Sequence, residues 1–229
     1  MALYAIGDLH LSLGADKPMD VFGGPWENYV EKIRLGFSAL HDEDVCVLCG
    51  DLAWGMTMEQ ALPDFQFIEA LPGKKILLKG NHDFWWSTAK KAYDFFAAHD
   101  MHTMDILNNN CYFYGDYAIC GTRGWFYEEA KGEAHDRKIM LREVGRLEAS
   151  LKAAGDKTKL VFLHYPPKYQ GYECPEILAL LDAYHVPLCC YGHIHSRGCH
   201  SAFQGMYHDT EFRLLSADYI SFCPRRILP

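Results

Sequence analysis

Five short fragments of this chain place carboxylate, amide and imidazole side chains directly after apolar runs. They are Asp8-Leu9-His10, Gly50-Asp51, Gly80-Asn81-His82-Asp83, His164 and Gly192-His193-Ile194-His195. Alone, each has a plain explanation: an Asp-x-His is often a turn, and a histidine after a strand is more often hydrogen-bonded than metallated. Five such endings carrying only Asp, Asn and His point instead to a metal site. With no thiolate in the set, the ligands suit manganese, iron or zinc rather than a closed structural zinc. Two ions about 3.5–4 Å apart would clamp the attacking and leaving oxygens of an in-line displacement, and one carboxylate must then bridge them. Set against Asp8, Asp51 and a shared hydroxide, two divalent ions leave a formal charge of about +1, suited to a phosphate anion.

The elements that must position these groups are short and regular. Residues 2–7 read as a first strand, apolar enough to be covered on both faces. Residues 45–49, 75–79, 159–163 and 187–191 read as further strands, each ending at one of the fragments. Trp26, Tyr29, Val30, Ile33, Phe37 and Leu40 recur at helical spacing, and further helices are expected near 58–70, 87–99, 134–154 and 174–184. Three rounds of strand, ligand loop and helix are the rhythm of parallel α/β architecture, in which functional groups gather beyond the carboxyl ends of the strands. From 103 to 121 the rhythm changes, and short strands around Asn108-Asn109-Asn110 and Gly115-Asp116 read as antiparallel hairpins. The tail, 202–228, reads as more strands. No repeat, linker or low-complexity segment divides the chain, so residues 1–229 are expected to form a single domain of two packed sheets with helices outside. Residues 11–25, rich in Gly, Asp and Pro, leave the first fragment directly. They read either as a flap over the site or as an ordinary surface loop.

A chain of 229 residues can bury a sizeable core. Its formal charge of -8 argues against a surface that binds nucleic acid through bulk charge. No apolar run approaches the roughly 18 residues needed to span a bilayer. The first strand begins at once, so a cleaved signal peptide would remove the first ligands; a cytoplasmic protein with no membrane partner is expected. Nine cysteines are an odd number in a chain that is not short. Cys46 and Cys49 lie in a strand where residues three apart face opposite sides. They read as small buried thiols in a reducing compartment rather than as a zinc or redox pair.

The order Asp-x-His, Gly-Asp, Gly-Asn-His-Asp, His, Gly-His-x-His, running from residue 7 to residue 195, resembles the calcineurin-like metallophosphoesterase superfamily. The resemblance implies an α/β fold, a four-layer α-β-β-α sandwich of two mixed sheets flanked by helices. It implies that Asp8, His10 and His195 hold one metal ion, that Asn81, His164 and His193 hold the second, and that Asp51 bridges. The ions would be divalent or trivalent manganese, iron or zinc. His82 is not a ligand in that pattern: it faces the phosphate and the leaving oxygen as the catalytic group, with Asp83 orienting its ring. The implied reaction is hydrolysis of a phosphomonoester or phosphodiester by a metal-bridging hydroxide. Gly50-Asp51 continues into Leu52-Ala53-Trp54-Gly55, without the arginine of the protein serine/threonine phosphatase branch. Asp83 also stands where that branch usually has Glu. The chain therefore sits closer to the bacterial phosphohydrolase and phosphodiesterase side, which His164-Tyr165-Pro166-Pro167 also resembles.

For substrate contacts, Arg123 in Gly121-Thr122-Arg123-Gly124-Trp125 has two readings, a grip on a phosphate oxygen or an ordinary salt bridge. Arg197 is a second phosphate candidate. Trp54, Trp85, Trp86, Trp125 and Tyr169 can stack on a planar group, with core packing the default for any one of them. The expected partner is a small phosphorylated substrate, and nothing in the sequence sets an oligomeric state. The rival reading is a catalytically silent scaffold that keeps the fold and binds a protein partner. Such scaffolds usually lack a ligand or the histidine at the position of His82, and every one is present here. A nuclease is disfavoured by the acidic balance and the lack of a basic stripe.

Overall fold

Three parallel strands with flush ends carry the first three fragments. They are β1 (Leu3–Ile6), β2 (Val45–Leu48) and β3 (Lys74–Leu77) in the computed structural model, which describes residues 1–126 and 133–229. Ile6 lies opposite Leu48, and Leu48 opposite Leu77, so Gly7, Cys49 and Leu78 leave the sheet at one level. The strands are almost wholly buried, as parallel strands covered on both faces must be. A fourth strand, β4 (Met104–Ile106), adds parallel to β3.

The helices beside this sheet are shorter than their periodicity suggests, for local reasons. The first, α1 (Tyr29–Phe37), does not begin at Trp26, because Asn28 takes a left-handed φ of 53° and Pro25 sits in a separate 3-10 turn, Gly24–Trp26. In α2 (Leu62–Glu69), Pro63 fixes the first turn. The next, α3 (Ala89–Ala98), is capped by Thr88, whose side chain accepts from the Lys91 N–H at 3.2 Å. The buried Lys75 ammonium donates to the carbonyls of Leu71 (2.7 Å) and Gly73 (2.8 Å), tying the end of the α2 connection to β3.

The second large sheet is built on β6 (Tyr117–Thr122), β7 (Thr158–Leu163) and β10 (Leu188–Tyr191), again parallel neighbours. Thr122 lies opposite Leu163, and Cys190 opposite Phe162, so these three also end flush. An antiparallel strand, β5 (Cys111–Tyr114), flanks β6. On the other side β12 (Thr210–Leu214) runs parallel to β10 and pairs in turn with β11 (Gly205–Tyr207). A small ribbon, β8 (Lys168–Tyr169) with β9 (Tyr172–Glu173), follows β7. The associated helices are α4 (Glu133–Ala153) and α5 (Pro175–Ala183). A last strand, β13 (Arg225–Leu228), pairs antiparallel with β1.

The protein is thus a mixed α/β fold with two large mixed sheets flanked by helices. Two compact units result, residues 1–106 with 215–229, and residues 107–214. The first has the core around Ile6, Leu48, Phe65, Leu77 and Phe96, and the second the core around Leu147, Val161, Ile177, Tyr191 and Phe212.

One expectation is corrected. The segment 103–121 is not a run of hairpins: β4 belongs to the first sheet as the end of a β3-α3-β4 crossover, and only β5 and β6 form a hairpin. A three-residue strand has too little pattern to declare its partner, while the helix before it dictates a parallel return. The tail forms further strands as expected, with β11 and β12 joining the second sheet and β13 returning to the first. Among the described residues, no helix is long and apolar enough to cross a membrane.

Candidate metal centre

In the first unit the three flush strand ends become three ligand-bearing turns. Their backbones are laced together: the Asp8 N–H donates to Gly50 O, His10 N–H to Asp51 O and Leu11 N–H to Leu52 O, all at 2.9 Å. Asp8, His10 and Asp51 take φ values of 60°, 47° and 51°, a region that disfavours residues with a Cβ and marks functional sites when it recurs. The strained turns turn their side chains together. A carboxylate oxygen of Asp8 lies within 4.8 Å of a ring nitrogen of His10, and Asp8 and Asp51 offer carboxylate oxygens within the same distance. His10 Nε2 is 3.7 Å from Asp51 Oδ2. Asp8, His10 and Asp51 are all buried. Two carboxylates and an imidazole gathered so closely out of water fit a multivalent cation, which would neutralise charge that burial otherwise penalises.

The Gly80-Asn81-His82-Asp83 turn is pressed against this group. A Cβ on Gly80 would stand 2.0 Å from Asp51 Oδ1, so only glycine fits. The His82 N–H donates to that same Asp51 oxygen at 2.7 Å. Asn81 and His82 are half-buried, and the His82 ring lies 5.7 Å from that of His10.

Asp83 is wholly buried and works differently from the sequence-based expectation. Its carboxylate accepts five N–H groups: Asp51 (2.9 Å), Leu52 (2.8 Å), Ala53 (3.2 Å), Gly80 (2.7 Å) and the Trp85 indole (3.0 Å). The His82 ring is not among these donors. Asp83 therefore acts on His82 through the backbone, by locking the turn after β2 to the turn after β3. Burial pushes its carboxyl above its ordinary pKa, while the backbone and indole donors pull the other way.

In the second unit, β6, β7 and β10 deliver Arg123, His164, and His193 with His195. The Gly192 N–H donates to His164 O (3.1 Å), and the N–H groups of His164 (3.1 Å) and Tyr165 (2.9 Å) share Arg123 O. His193 takes a φ of 71°. The rings of His164 and His193 stand 5.1 Å apart at 72°, with Tyr165 4.5 Å from His193. His164 is fully buried, while His193 and His195 are half-buried, the latter at the start of the 3-10 turn Ser196–Ser201.

Arg123 has its contact with a carboxylate: its guanidinium lies 3.7 Å from Glu143 on α4. Glu143 is wholly buried and also accepts from Thr122 Oγ1 (2.7 Å) and Arg146 (2.6 Å). Arg123 Nε is nonetheless buried with no acceptor among the described residues. Of the aromatic candidates, Trp85 and Trp125 are core residues, Trp54, Trp86 and Tyr169 are half-buried, and Trp54 stacks on His10 with centroids 5.1 Å apart at 22°. Cys46 and Cys49 are both buried and form no disulfide among the described residues.

Sequence reasoning missed Glu143 and Asp64, both buried acids on helices. A signal existed: Glu143 is in phase with Leu147 and Leu151 on the apolar stripe of α4, and Asp64 with Ala61 and Ile68 on that of α2. An acid on a core stripe must have partners.

A family model for calcineurin-like phosphoesterases matches residues 1–197. Among solved structures, the chain is similar to TT1561 of Thermus thermophilus, with TM-score 0.60, 15% identity, and coverage of 99% of this chain and 97% of that one. A phosphopantetheinyl hydrolase from Mycobacterium tuberculosis gives 0.58 at 15% identity, covering 100% and 96%. A protein of unknown function from Aquifex aeolicus, AQ665, gives 0.54 at 16%, covering 98% and 95%. At these identities the likeness is one of fold. No curated protein gives a significant match.

Proposed function

The chain belongs to the calcineurin-like phosphoesterase family, and from that premise we propose that it hydrolyses a phosphomonoester or phosphodiester at a dimetal centre. Asp8, His10 and His195 would hold one ion, Asn81, His164 and His193 the other, with Asp51 shared. When bound, the ions would supply Lewis-acid stabilisation of the phosphoryl oxygens and water acidified enough to attack near neutral pH. The observation that carries this reading is the same in both sheets: neighbouring parallel strands ending flush in ligand-type side chains.

The chain's own residues have separate tasks. Asp8 and Asp51 contribute anionic oxygens, and the imidazoles contribute neutral nitrogen donors. His82, joined to Asp51 through its backbone, would present a ring nitrogen to the phosphoryl group and either steady its growing charge or protonate the leaving oxygen. Asp83 keeps that turn in place.

The test is turnover of p-nitrophenyl phosphate and bis-p-nitrophenyl phosphate by protein of measured metal content, with added manganese and with chelator. Chelator-sensitive turnover of either compound is expected, and the faster one assigns mono- or diesterase character. Absence of turnover of both with two ions bound per chain would overturn the enzyme reading and favour a binding scaffold.

A further inference from the structure

The segment after His10 is not loose. Leu13 N–H donates to the buried Asp64 carboxylate at 2.7 Å, and Ser12 Oγ meets the Tyr29 hydroxyl at 3.1 Å. Gly14 packs so tightly on the turn before α2 that a Cβ would stand 1.8 Å from Gln60 O. Anchored in this way, the segment brings the exposed Lys17 over the Trp54 ring, with Nζ 4.7 Å from its centre. The same indole stacks on His10 and lies 4.3 Å from the His82 ring. Phe84, 48% exposed, stands 5.9 Å from His82. Lys17 makes no ion pair among the described residues, although Asp16 and Asp20 are close in sequence.

An ammonium with no carboxylate partner among the described residues, held on the indole that touches both a candidate ligand and the candidate catalytic imidazole, is poorly explained by stability. An exposed cation–π contact contributes only about 0.5–1 kcal/mol. We propose that Lys17 is a specificity-determining residue that recognises a second anionic group on the leaving-group side of the substrate, with Trp54 as the positioning residue that sets its distance from His82. The inference rests on the phosphoesterase reading. The substrate class it names is a phosphoester whose alcohol carries a carboxylate or a further phosphate a short spacer from the scissile bond, with Phe84 as an apolar wall for the spacer.

The probe pair is 4-carboxyphenyl phosphate and phenyl phosphate, compared as a ratio of kcat/KM so that effects common to both cancel. Lys17→Met, which keeps the stem on the indole, should lower the ratio by about threefold or more, mainly through KM, and Lys17→Arg should restore most of it. Added salt should compress the ratio in the unsubstituted protein and leave it flat in Lys17→Met. A fall below about threefold, or one that salt does not mimic, overturns the proposal. Failure of the unsubstituted protein to turn over either compound with metals bound would instead remove the phosphoesterase reading, and this inference with it.

Discussion

The two units hold their ligand-type residues by different means. In the first, acids dominate, and the turns are fixed by hydrogen bonds that converge on one side chain, Asp83. In the second, imidazoles dominate, and the turns are fixed by shared backbone carbonyls and by ring packing among His164, Tyr165 and His193. The difference follows from charge. Carboxylates set side by side repel and must be aimed by N–H donors around them, so their turns need a rigid backbone. Neutral imidazoles need only orientation, which neighbouring rings supply.

The largest expected contrast is catalytic. On the proposed role, in which the ring would act on the substrate rather than on an ion, His82→Ala should keep its metal content and lose roughly 100- to 10,000-fold in turnover. His193→Ala should lose metal, read by elemental analysis. Metal loss from His82→Ala would make His82 a ligand and erase the distinction.

Next in size is the hub. Asp83→Ala strands several buried N–H groups, each costing about 1–3 kcal/mol before water re-enters, so a loss on the order of 3–5 kcal/mol is expected in denaturant unfolding. Hydrogen exchange should quicken at the amides of Asp51, Leu52, Ala53 and Gly80 and stay unchanged at those of His164, Tyr165 and Gly192. Equal loss of protection in both sets would show that one side chain does not explain the first unit's order.

Glu143→Gln tests the second unit at its own buried acid. An amide can still accept from Thr122 but no longer balances Arg146 and Arg123, so about 1–3 kcal/mol should be lost. Amide exchange at His164 and Gly192 should change little, because backbone carbonyls hold those turns.

The smallest effect is a pH slope. Burial pushes the Asp64 carboxyl up to about 6, so the folded protein holds a proton there that the unfolded chain gives up near pH 4. The stability this provides is fully present below about pH 4 and is lost as pH rises through about 6, a change on the order of 1–3 kcal/mol. Asp64→Asn should flatten that part of the stability profile while preserving an acceptor for Leu13. An unchanged slope would move its origin elsewhere.

The candidate ligands were legible because an apolar strand that stops at Asp, Asn or His is a local pattern, and Leu3–Ile6, Val45–Leu48 and Leu188–Tyr191 need no distant information to be recognised. Asp83 was expected to orient the His82 ring, whereas its hydrogen bonds go to backbone amides and the Trp85 indole. Its donors at Asp51, Leu52 and Ala53 lie about thirty residues away in sequence, and only the parallel register of β2 and β3 brings them near. The same limit hid the partner of β4. The start of α1 escaped for an opposite reason: Trp26 fits the helical period, yet one left-handed residue, Asn28, separates it from the helix.

Asp8, His10, Asp51 and His193 share backbone angles that glycine would adopt with ease. Glycine at any of them would relieve that local tension and, in the same step, delete a candidate donor to a cation. A library of variants screened for heat resistance alone should therefore drift toward glycine at these four positions, and a screen for turnover should refuse it. Robustness and chemistry pull this chain in opposite directions at these four positions.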